Sequence, residues 1–197
     1  AMGVWSRHAV AGWHEANPGD AALLIGETPL IGNRFIELAT PSNDDAEPLL
    51  VAQNTTFLVP VPSRTVRKAI ESARAVTTAN PKHDRESGDA RPNVMHAIWE
   101  ELLETASVLG IGTPGDGSYN PESYESVYSA VLKHRHAEVL PIDFTLPTNN
   151  RSVYDLDVPY QDVMPSEGEG EAFIAQVEQT YPDLAVLEKE VARWYVV

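Results

Sequence analysis

Proline and glycine punctuation constrains this chain more than any other feature of its sequence. Asn17-Pro18-Gly19, Asn80-Pro81, Asn120-Pro121 and Pro182 each stop or start a segment, and Pro60 and Pro62 alternate with valines. Proline has no backbone N–H and a fixed φ, so it is kept out of helix interiors and sheet centres. The segments between these breaks are short and switch between helical and extended patterns. The expected fold class is therefore α+β, with about five to six helices packed on a small mixed β-sheet. Residues 3–197 are expected to form a single globular domain. Ala1 and Met2 read as an expression remnant and a start methionine outside it.

Residues 4–16 place Trp5, Ala9 and Trp13 at intervals of four, a helical stripe. Residues 21–25 are too short to assign. Residues 35–39 read as a short strand, followed by an acidic, proline-bounded loop over 40–48. Residues 49–61 read as extended. The prolines at their end cannot donate to a ladder, so that end lies at a sheet edge or leaves the sheet. Ser63 then caps a helix with Val66, Ala69, Ile70 and Ala73 on one face, and Asn80-Pro81 ends it. Residues 80–92 read as a polar, mobile loop.

The clearest element starts near Asn93. Val94, Met95, Ile98, Leu102, Ala106 and Leu109 form a broad apolar face, and Gly110 supplies the C-terminal stop. Asn120 and Pro121 open a further helix, as cap and first residue, with Tyr124, Val127, Tyr128, Val131 and Leu132 as its buried stripe. Residues 139–146 and 153–158 read as strands. Residues 165–171 read as an acidic solvated turn. Two final helices follow over 171–181 and 183–195, the second carrying Leu184, Leu187, Val191 and Trp194.

Composition excludes several classes. With 43% apolar residues and 197 positions, the chain can bury a core without staples. It has no cysteine, which removes disulfide scaffolds, thiol nucleophiles and cysteine-based zinc sites. No apolar run is long enough to cross a membrane and no signal segment opens the chain, so a bacterial cytoplasmic location is expected. The net charge of -15 repels phosphate backbones and disfavours nucleic acid. Charge is unevenly spread: residues 64–91 are locally positive, and residues 151–197 strongly negative.

Four features could carry chemistry. Gly110, Gly112 and Gly115 match the spacing G-x-G-x-x-G, whose phosphate-binding use requires a strand before it and a helix at its third glycine. One reading makes 107–112 a strand, 121–136 a crossover helix and 138–143 a second strand ending in Asp143. So read, the segment resembles the start of an S-adenosylmethionine-binding methyltransferase fold. The acidic residue that normally ends that first strand is absent, with Gly110 near its place. The helical periodicity up to Leu109 and the proline at 114 favour a plain helix-ending loop instead. Lys133, His134, Arg135 and His136 fall where cations complement a helix dipole. His96 and Glu100, four apart, could share a metal but lie opposite the Ile98–Leu102 face with no third ligand in view. Arg64, Arg67, Lys68 and Arg74 can line the exposed side of their helix, either as an ordinary solvated face with Arg67 pairing Glu71 four residues on, or as a docking surface for an acidic partner or for the chain's own acidic C-terminal third.

No serine nucleophile elbow, P-loop or H-E-x-x-H helix is present. The favoured function is a non-catalytic binding or regulatory protein acting through protein–protein contacts, with no cofactor and no metal, and Arg64, Arg67, Lys68 and Arg74 as the partner-binding residues. The alternative is a small enzyme or ligand-binding domain with a nucleotide or S-adenosylmethionine site at the 110–117 loop, built from Gly110, Gly112, Gly115 and Asp143.

Overall fold

A strand that alternates valine with proline can pair fully through only one of its two edges, and the structure shows which. The computed structural model describes residues 1–19, 21–30, 35–112, 116–147, 151–155 and 165–197. Strand β1 (Phe57–Pro62) pairs with β2 (Ala137–Ile142) in a two-stranded sheet. The Phe57 N–H donates to the His136 carbonyl and the Ser63 N–H to the Ile142 carbonyl, both at 2.7 Å. The equal offset makes the pair parallel. It also turns the backbone of residues 57, 59, 61 and 63 toward β2, and that of 58, 60 and 62 away. Pro60 and Pro62 thus fall where a missing N–H costs the ladder nothing, and the same alternation puts Pro141 on the outer side of β2. Val59 and Val61 are buried, whereas Leu58 on the other face is 59% exposed.

Seven α-helices accompany the sheet among the described residues: α1 (Met2–Ala16), α2 (Glu47–Leu50), α3 (Arg64–Ala79), α4 (Pro92–Leu109), α5 (Pro121–Val131), α6 (Glu167–Thr180) and α7 (Leu184–Ala192). The α+β class holds, and the helix beyond the expected six is the single turn α2. The chain clusters into two compact units. One comprises the described residues of Ala1–Phe57, Val131–Ala137 and Tyr160–Val197, the other those of Leu58–Ala130 and Glu138–Pro159.

In the second unit, Ser63 accepts the Val66 N–H and opens α3 directly from β1. Helix α4 begins with Pro92 and ends at Gly110, which adopts the left-handed conformation (φ 66°) that glycine takes without a Cβ clash. Leu102 is 1% exposed, and Trp99 and Ala106 are buried beside it on the helix, whereas Ile98 is only half-buried. Asn120 Oδ1 accepts the N–H groups of Glu122 and Ser123, and Val127 is buried one turn further along α5.

In the first unit, Leu38, Ala46 and Leu50 form a small core against Val10, Ala11, Phe35 and Phe57. Helix α6 lies on α1, with the His8 and Phe173 rings 4.9 Å apart between centroids. The stripe Trp5–Ala9–Trp13 is not the covered face of α1. Its buried residues are Gly3, Ser6 and Arg7, and the two tryptophans are half-buried.

Several local expectations are corrected. Residues 36–38 form a 3₁₀ turn rather than a strand, because the carbonyls of this stretch must converge on two guanidinium groups described below. Residues 47–50 are helical, and the strand expected from residue 49 begins only at Phe57. Residues 84–88 form another 3₁₀ turn in the supposed mobile loop. There the buried Glu86 accepts the Lys82 N–H at 2.6 Å and a hydrogen bond from Ser152. Residues 153–155 are a 3₁₀ turn, and 156–158 lie outside the described residues. Helix α5 stops at Val131, short of 136. The acidic turn at 165–171 is the start of α6, where Ser166 and Glu169 exchange hydrogen bonds in a capping box.

Truncating Leu102 to alanine should lower unfolding free energy by about 2–5 kcal/mol, the range for a buried leucine. Ile98→Ala should cost clearly less. Urea denaturation of both variants checks the order, and a Leu102→Ala midpoint equal to wild type would remove this face of α4 from the core.

Candidate binding surface and a buried arginine network

Helix α3 carries the four cations expected to form a docking surface, and its orientation divides them. Arg67 is on the inner side. Its Nε donates to Glu71 at 2.7 Å, its Nη2 donates to the Met95 carbonyl at 3.0 Å, and its guanidinium lies 5.2 Å from the Tyr119 ring centre. Arg74 is paired with Asp89, whose second carboxylate oxygen accepts the Tyr154 hydroxyl at 2.6 Å. That hydrogen bond to the Asp89 carboxylate pushes the Tyr154 phenol above its ordinary range. Arg64 and Lys68 are exposed.

The expected faces of α3 are therefore reversed. Ala69, Ile70 and Ala73 are exposed, and of the expected apolar face only Val66 is buried. The physical reason is that Arg67 and Arg74 find acceptors on α4 and at Asp89 beside the 84–88 turn, which turns their side of the helix toward those elements. Exposing alanine costs little. The outward face presents Thr65, Lys68, Ala69, Ser72, Ala73 and Val76.

The glycine loop is bound up with its own neighbours. Helix α4 continues through Ser107 to Leu109, and the Ile111 N–H donates back to the Ala106 carbonyl, so residues 107–109 are helix and not strand. The strand parallel to β2 is β1 instead. Gly112 has φ 88°, and a Cβ there would meet Ala106 and Ser123 at 3.3 Å. Past 113–115, which lie outside the described residues together with Gly115, the Gly117 carbonyl accepts the Trp99 indole N–H at 2.8 Å. The Tyr119 hydroxyl donates to the Pro62 carbonyl at 2.9 Å. Asp143 is exposed just beyond β2.

His96 and Glu100 stand 3.3 Å apart with both side chains 65% exposed, on the solvent side of α4 as expected. No cluster of three metal-capable side chains occurs among the described residues.

The basic run 133–136 holds the largest departure. Beyond the end of α5, Lys133 and His134 are exposed and His136 meets the Val51 carbonyl at 3.0 Å, but the Arg135 side chain is 0% exposed. Its Nε donates to the Leu38 carbonyl, Nη1 to Glu47 and the His134 carbonyl, and Nη2 to Glu47 and the Thr40 carbonyl, at 2.7–3.1 Å. Arg7 on α1 behaves alike. Nε donates to Asp44, Nη1 to the Glu37 and Thr40 carbonyls, and Nη2 to Asp44 and Glu47, at 2.6–3.1 Å. A guanidinium has five N–H donors, and each of these two has five acceptor contacts.

Two cations and two carboxylates balance in charge, and each arginine grips one carboxylate with two nitrogens. The Arg7 guanidinium holds the Asp44 carboxyl down at about 2. Burial alone would raise Glu47, but hydrogen bonds from Arg135 and Arg7 outweigh it and leave its carboxyl below the ordinary range. Asp44 also accepts the Glu47 N–H, and Glu47 the Ser42 N–H, so the same carboxylates shape the turn into α2. Nearby, the Glu37 carboxyl lies against Gly3 in the first turn of α1, where its buried Oε2 has no hydrogen-bond partner among the described residues. The sequence gives no sign of this network: Arg135 lies 88 residues from Glu47, and no periodicity relates them.

No family model, curated protein or solved structure matches the chain. No helix among the described residues is long and apolar enough to cross a membrane.

Replacing Arg135 by alanine strands buried carboxylate and carbonyl groups and should destabilise the protein by about 3–5 kcal/mol. Arg135→Met, which fills the volume but keeps no donor, should also lose stability, and a wild-type melting curve for both would show the network to be dispensable. Because folding lowers the Asp44 carboxyl from an ordinary value of roughly 3.9 to about 2, its contribution is complete above that ordinary value. It fades as pH falls toward 2. Denaturant midpoints measured from pH 5 to pH 2.5 should fall less steeply in Asp44→Asn than in wild type, with Glu47 supplying the remaining slope.

Proposed function

We propose that this chain is a non-catalytic binding or regulatory protein of the bacterial cytoplasm that acts through contacts with another protein. The observation that carries this reading is the apolar stripe of α7, which the described residues cover only in part. Leu184, Leu187 and Val191 recur at helical spacing and continue to Trp194, the pattern of a helix meant to be covered. Trp194 is buried and Leu187 half-buried, but Leu184 is 66% and Val191 42% exposed. Neither α6 nor α7 contributes a fully buried residue. Large apolar side chains exposed along a regular element mark surfaces that meet other molecules.

The charge distribution supports a protein partner over a nucleic acid. At a net charge of -15 the chain's field repels phosphate and draws cationic surfaces. Locally the sign is opposite: Arg64 and Lys68, beside the alanine-rich outer face of α3, supply basic contacts for an acidic patch on the partner. Arg67 and Arg74 support that face from beneath through their pairs with Glu71 and Asp89.

The chain has four lysines, at 68, 82, 133 and 189, all exposed. Amine-reactive cross-linking in the source cells should join a second protein through Lys189 on α7 or Lys68 on α3. The double variant Leu184→Glu/Val191→Glu should abolish the Lys189 cross-link while changing stability by no more than about 0.5 kcal/mol per exposed site. A large loss of stability would mean that the chain itself covers this stripe. Millimolar ATP, NAD and S-adenosylmethionine should leave the melting temperature unchanged. A ligand at 100 times its dissociation constant adds about 2.7 kcal/mol, so a stabilisation that disappears in Gly112→Val or Asp143→Ala would overturn the proposal.

A further inference from the structure

No further inference is drawn: the strongest candidate, the exposed apolar outer face of the β1–β2 sheet at Leu58 and Leu140, is an unpartnered surface, and nothing in the structure shows what covers it.

Discussion

Arg7 and Arg135 hold the first unit together from two distant points of the chain. The segment 37–47 lies between them and gives up three carbonyls and two carboxylates to the two guanidiniums. Taking two such cations out of water costs several kcal/mol each, and only complete hydrogen bonding with matched countercharge offsets that cost. The consequence for the fold is geometric. Carbonyls that must converge on a guanidinium cannot also alternate across a strand, so residues 36–38 turn, and the Asp44 carboxylate, held by Arg7, accepts the Glu47 N–H where α2 begins. Leu38, Ala46 and Leu50 are then presented to one another as a core.

Arginine is misread in the same way at a second place. Arg67 faces inward and Arg74 lies half-exposed beside Asp89, each paired with an acid, while alanines face out. Binary patterning assigns charge to solvent and aliphatic groups to the interior, and for a helix rich in alanine and arginine that assignment is weak. Alanine has little area to bury, whereas an arginine stem has more than an alanine and a head that can be satisfied by fixed acceptors. Among the described residues, Arg7 and Arg135 are buried in such pairs, and Arg67 and Arg74 form part-buried ones.

The parts of the fold that were legible in the sequence are those governed by local rules. Helix α4 with its Gly110 stop, the Asn120-Pro121 opening of α5, the Ser63 cap of α3 and the edge character of the proline-rich strand all follow from contacts within a few residues. The capping box at Ser166 was equally local but lay inside an acidic, glycine-containing run whose composition suggested a turn. The segments 35–39 and 49–56 were not legible, because their conformation answers to side chains from elsewhere in the chain. The arrangement of the α3 cations was legible in part: the sequence placed four of them on one helix, but which two remain exposed depends on Met95, Asp89 and Tyr119, whose approach no spacing along the chain encodes.

The positions of Pro60, Pro62 and Pro141 bear on how the protein behaves at high concentration. A two-stranded sheet has two edges, and open edges template the sideways growth that ends in fibres. Here each strand lacks backbone donors at outward positions, two on β1 and one on β2, so an incoming strand would meet gaps on either side. Crowding, storage and overproduction therefore stress this protein less through its sheet than the apolar character of that sheet alone would suggest.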